Sequence, residues 1–336
     1  MKSNKLFHTV MKVKNIIYII SLMFAAMSCS MDGDTMMNDT TKEIENSLNN
    51  GEVAVSFSLT DGSVATKSAA GIDATTDQEI KNVTVFLLKN DAVIDVMTSS
   101  TGNTAYSNCF YVKNEGNMEL IVVANALIGT AYENGTSILK AAANLEDCTK
   151  WARHTIDFSQ VINNSYNAAI ELSQSYAKVE LAEFNVRKAT GNYKDVEVGL
   201  DKVEIKNINS KGVVDGSLVE SPVLENKEIV CNYTIIPTTK ESGNIVEKPL
   251  NFNTFAKEQD AKSKMIMVLT YHVGKVSKTH AIEIEGNEGM INAGNIYKVK
   301  VNATLRAEQL DFDVVFDILN WIDGGTLIDG DLIIKK

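Results

Sequence analysis

Arginine, histidine and proline are scarce in this chain. Three arginines (Arg153, Arg187 and Arg306), four histidines and three prolines are spread over 336 residues. That is a thin stock for acid–base catalysis or for anion capture. His154, His272 and His280 are scattered, and none pairs with Cys or carboxylates at metal-ligand spacing. There is no GxSxG elbow, no Walker loop and no GxGxxG after a strand. The net charge of −11 argues against nucleic acid and anionic membrane surfaces as partners. Cysteine is equally sparse. Beyond Cys29, the residues Cys109, Cys148 and Cys231 are widely spaced and odd in number, which is neither a disulfide framework nor a zinc pattern. They read as buried free thiols. No cofactor, metal or catalytic residue is expected, and an enzyme ranks well below a structural protein.

Long apolar runs are also missing, apart from Ile16–Ala26, which is too short for a comfortable membrane span. Lys2, Lys5, Lys12 and Lys14 precede it, and Ala26-Met27-Ser28-Cys29 follows. That layout is a targeting segment and is set aside from the fold. A small residue just before Cys29 resembles a bacterial lipobox, with Ala26 where Leu is usual. Residues 1–28 then form a lipoprotein signal peptide, and Cys29 becomes the lipid-bearing first residue. A plain signal peptide cut near Ser28 is the alternative. Residues 29–51 are polar, carry Asp32, Asp34, Asp39, Glu43 and Glu45, and read as a tether.

What is present is alternation. In Glu52–Thr60, Val53, Val55, Phe57 and Leu59 alternate with smaller or polar residues, the period of a strand with one buried face. Asp61-Gly62 supplies a turn, and Ser63–Gly71 is small and polar with one basic residue, Lys67. This describes a core-facing strand followed by an exposed site for cleavage between Lys67 and Ser68. Excising such a strand from a β-domain leaves an apolar groove that a strand from another copy can fill.

The rest of the chain is mostly β. Strands are expected at Val83–Leu87, Ala92–Met97 (after an Asn90-Asp91 turn), Tyr106–Val112 and Met118–Ala124. Thr136–Cys148 predicts a helix, with Ile138, Leu139, Ala142 and Leu145 at helical spacing. Val179 and Leu181, then Phe184 and Val186, predict a strand with a bulge. Further strands are expected at Val196–Ile208, Val213–Val219, Ile229–Ile236, Met265–Val273, Lys278–Glu285, Asn295–Leu305 and Phe312–Ile318. With one credible helix, the pattern predicts an all-β protein of two β-sandwich domains, 52–173 and 174–321. The tail 322–336 places Ile328, Leu332 and Ile334 on one strand face, with Gly330 in the fourth place. That is the phase of Val53, Val55, Phe57 and Leu59. Asp323–Asp331 lacks the EF-hand spacing of acids and reads as turns.

The order of these features resembles the fimbrillin family, the major fimbrial subunits of type V pili in Gram-negative anaerobes. The features that carry the resemblance are the leader ending at Cys29, the strand Glu52–Thr60, the loop basic residue Lys67 and AKVEL at Ala177–Leu181. The strand Asn295–Leu305, Trp321 and the short apolar tail complete them. The resemblance implies two transthyretin-like domains and lipid-anchored export to the outer membrane. It also implies cleavage after the first strand by a protease of Lys/Arg specificity, and head-to-tail polymerisation with further copies or related pilins. Well-known members are cut after Arg, and here no Arg precedes Arg153. The alternatives are an anchor or accessory subunit that keeps its lipid, and a surface lipoprotein that binds glycan through Trp151, Trp321, Tyr106, Tyr111 or Tyr166.

Overall fold

The computed structural model describes residues 51–61, 79–103, 105–191, 194–239, 241–307, 309–320 and 333–335. In chain order the first elements are β1 (Glu52–Asp61), β2 (Ile80–Lys89), β3 (Ala92–Asn103), β4 (Ala105–Lys113) and β5 (Met118–Ala124). A short helix α1 (Gly135–Leu139), β6 (Ala142–Ala143), β7 (Lys150–Ile156) and β8 (Ser165–Gln174) follow. Next come β9 (Ala177–Lys188), β10 (Val198–Asn209), β11 (Gly212–Val213), β12 (Leu224–Ile235), β13 (Gly243–Asn244), β14 (Leu250–Thr254) and β15 (Lys257–Glu258). The chain closes with β16 (Ile266–Val273), β17 (Val276–Glu283), β18 (Met290–Ile291), β19 (Asn295–Arg306), β20 (Gln309–Asn320) and β21 (Ile333–Lys335). The protein is all-β.

Two units divide these residues. The smaller holds 51–57, Ser107–Asn114 and Asp157–Ala168, and the larger holds the remainder.

In the larger unit one sheet runs β3-β2-β5-β7-β8. Asn90 and Asp91 join β2 to β3 with φ of 51° and 67°, the left-handed pair that matches the twist of a two-residue hairpin. Phe86, Leu88, Ile121 and Val123 bury one face of this sheet together with Ile138 of α1. A second sheet runs β12-β10-β16-β17, and a third runs β13-β9-β19-β20-β21 with β14 also paired to β9. The second and third sheets share one core. Val203, Ile205 and Leu269 of one meet Val179, Phe184, Val299 and Val301 of the other. The bulge expected in β9 is present: Leu181 faces Val299 and Glu183 faces Lys300, so Ala182 is the extra residue. It moves Phe184 and Val186 onto the face already held by Val179 and Leu181.

Two expectations fail in this unit. The helix predicted over Thr136–Cys148 is the single short α1, Gly135–Leu139. Asn134 caps its start by accepting from the Ser137 N–H, and Lys140 ends it. The chain then turns so that Ala142 and Ala143 pair with Val213 and Gly212. The strand predicted over Val213–Val219 is likewise only β11. The Asp215 carboxylate accepts from the Ser217 N–H at 3.0 Å, and Gly216 adopts φ 68°, so the chain turns where alternation would have continued it.

The parts of β8, β1 and β4 that belong to the smaller unit lie in the order β8-β1-β4. Just ahead of β8, Asn163 and Asn164 adopt φ of 53° and 59°, and the Asn164 carbonyl accepts from the Ala54 N–H at 2.9 Å.

Candidate functional site: the first and last strands

The period of two in β1 becomes burial. Val53, Val55, Phe57 and Leu59 are all buried, and Phe57 is 2% exposed. Ala54, on the opposite face by phase, is also buried, so both faces of β1 are covered near its start. Phe57 stacks on Phe110 of β4, with ring centroids 5.8 Å apart and planes at 27°. Within the smaller unit the part of β1 that runs to Phe57 is interior, between β8 and β4. Taking it away separates those strands and uncovers the apolar side chains it had buried.

At the other end of the chain, Ile333, Ile334 and Lys335 of β21 pair antiparallel with Phe316, Val315 and Val314 of β20. Ile334 thus stands opposite Val315. Cys29, Lys67, Ser68, Ile328 and Leu332 lie outside the described residues, as do Trp321 and the acids of 323–331.

The aromatics considered for sugar are placed unevenly. Tyr166 is buried, and Trp151 packs against the core formed by Phe86 and Ile121. Tyr111 is 38% exposed. Burial and the neighbouring Cys109 push its hydroxyl up to about 12. Cys109, Cys148 and Cys231 are free thiols, but half-buried where burial was expected. Among the described residues no group of three or more His, Cys, Asp or Glu is arranged to hold a metal ion.

Sequence reading missed two polar arrangements in the larger unit. The His272 Nδ1 lies 2.6 Å from Asp201 Oδ1, and its Nε2 lies 3.7 Å from Glu197. These residues meet because β10 and β16 pair side by side. The second is a row of buried charge. Lys298 of β19 stands beside Glu180 of β9, and Glu180 beside Asn251 of β14. Lys298 Nζ is 3.7 Å from Glu180 Oε1, with the two side chains 7% and 0% exposed. Lys178 is buried on the same face of β9. Lys and Glu alternating with Val and Leu look like a solvated strand face, so no local signal marks them as interior.

No family model matches the chain, and no curated protein matches it in sequence. Solved structures do. A fimbrilin, FimA, from Porphyromonas gingivalis superposes with a TM-score of 0.54 at 13% identity, covering 80% of this chain and 97% of its own. The chain has the fold of the fimbrilins. A candidate cell adhesion protein from Parabacteroides distasonis shares this fimbrilin fold at a TM-score of 0.60 and 12% identity, covering 83% of this chain and 99% of its own. The tip fimbrial protein Mfa3 of Porphyromonas gingivalis, with C-terminal truncation, gives 0.50 at 10% identity, over 80% of this chain and all of its own.

Proposed function

We propose that this chain is a structural subunit of a cell-surface pilus, exported as a lipoprotein and polymerised by proteolysis-triggered strand exchange. The reading gives it two transthyretin-like sandwich domains, 52–173 and 174–321, joined to lipid at Cys29 through the tether. A protease of Lys/Arg specificity cuts between Lys67 and Ser68, and β1 leaves. A strand from a neighbouring subunit, another copy or a related pilin, takes its place. This chain's own tail, with Ile328, Leu332 and Ile334 on one face, is the strand it offers to the next subunit. Insertion is head-to-tail and does not close on itself, so it yields a filament suited to adhesion. No residue is assigned to catalysis.

The observation that carries the reading is the interior position of β1, with Val53, Val55, Phe57 and Leu59 buried. Burying four such side chains stabilises by about 1.5–3 kcal/mol each, and a vacated groove loses that until refilled. The fimbrilin fold supports the same reading.

N-terminal sequencing with intact mass of protein sheared from the cell surface tests it. A lipid-free chain starting at Ser68 supports excision of β1. An acylated Cys29 on the mature surface form removes the activation step and favours an anchor or glycan-binding lipoprotein. The absence of Arg before Arg153 is what gives that second reading weight.

A further inference from the structure

We propose that the slot held by β1 selects its incoming strand for an aromatic ring opposite Phe110, and so takes a strand from a different subunit in preference to a second copy of this chain. The inference rests on the strand-exchange reading and adds a rule for the partner.

Phe57 is the single aromatic residue of β1, and its ring lies against Phe110. Both rings are 2% exposed. A close-packed interior holds such a pair in one arrangement, and a smaller occupant leaves a void beside Phe110. The tail, Ile322–Lys336, contains no aromatic residue. Its apolar face offers Ile328, Gly330, Leu332 and Ile334 against Val53, Val55, Phe57 and Leu59.

Each strand direction carries a defect. Running the same way as β1, the tail brings Leu332 to the place of Phe57 and Gly330 to that of Val55. It also sets Asp329 where Ala54 is 6% exposed, burying a carboxylate. Running the opposite way, it spares Ala54's place but brings Gly330 to that of Phe57, and the ring site stays empty. A partner strand that alternates as β1 does, with an aromatic residue at the third inward place and no acid beside the first, has neither defect.

The test uses the full secreted chain carrying an inserted site for a sequence-specific protease after Lys67. After cutting, labelled peptides in excess compete with the cut segment, and native mass spectrometry reads the occupant. The peptides are Glu52–Asp61, the same with Phe57→Leu, the tail Ile322–Lys336, and the tail with Gly330→Phe or Leu332→Phe. The Glu52–Asp61 peptide is expected to enter. Its Phe57→Leu form and the native tail are each expected to bind about tenfold or more weaker, a difference of one decade in affinity. One aromatic tail is expected to recover much of that loss, and which one reports the strand direction. A native tail that competes as well as Glu52–Asp61, or no gain from either aromatic substitution, overturns the selection rule alone. If even Glu52–Asp61 never enters, the strand-exchange reading falls and the rule with it.

Discussion

His272 stands directly across from Gly199, and its imidazole occupies the space that a β-carbon on Gly199 would need. Such a carbon would fall 2.1 Å from His272 Cε1. The missing side chain leaves the room that the ring uses beside Glu197 and Asp201. Gly199→Ala is therefore expected to expel the ring and break its hydrogen bond to Asp201. The expected cost is about 1–3 kcal/mol, read by urea denaturation. Unchanged stability would show that the ring moves freely.

The Lys298–Glu180 pair is enclosed by protein. Lys298→Met is expected to destabilise by about 3–5 kcal/mol, because the carboxylate stays buried with one counter-charge fewer. Lys298→Met combined with Glu180→Leu is expected to be more stable than Lys298→Met alone. A double-mutant cycle that sums without coupling would remove the pair from the account.

Lys257 gives a rise in stability with pH. The residue is 2% exposed, its amine donates to the Asn207 carbonyl at 2.9 Å, and desolvation lowers its pKa from 10.5 to about 8. Between those values the unfolded chain keeps the proton and the folded one does not, so stability rises as pH climbs from about 8 towards 10.5. The full rise is roughly 3 kcal/mol. Lys257→Met is expected to lack it when denaturation is compared at pH 7.5 and pH 10.

His280 acts on the acid side. It stacks on Phe312 with centroids 4.0 Å apart, and burial holds its pKa below 6.5. Below 6.5 the unfolded chain takes up the proton before the folded one does. Stability from this residue is therefore present above 6.5 and is lost as pH falls through the folded value. His280→Phe is expected to show a shallower loss between pH 7 and pH 5. An identical slope would move the acid sensitivity elsewhere.

Deleting Asp329–Lys336 removes Ile333–Lys335 from the edge of β20 and three of the four tail places proposed for exchange. The shortened protein is expected to be a folded monomer, still cut after Lys67, that forms no fibres by electron microscopy. Fibres from it would end the donor assignment for the tail.

Most strands were legible because one apolar face repeats every second residue, as in Met118–Ala124 and Asn295–Arg306. Turns were legible where backbone geometry demands a residue type, as at Asn90-Asp91. The helix over Thr136–Cys148 was misread because Ile138, Leu139, Ala142 and Leu145 satisfy a helical period by coincidence. The pairing of Ala142-Ala143 with Gly212-Val213 overrides it, and that contact is far away in sequence. The buried face of β1 was readable. The Asp201–His272 contact and the Glu180–Lys298 pair were not, because strand register creates them and no local pattern records register.

The pairing of β9 with β19 is parallel, and every strand from β10 to β18 lies between them in the chain. A ribosome or an export channel delivers β9 long before its neighbour. Until β19 emerges, β9 has on that side an open edge next to Val179, Leu181 and Phe184, the sticky surface on which chains associate wrongly. Closing so long a loop is slow. The interval in which this edge is open to wrong association thus lengthens with the chain that separates Lys188 from Asn295.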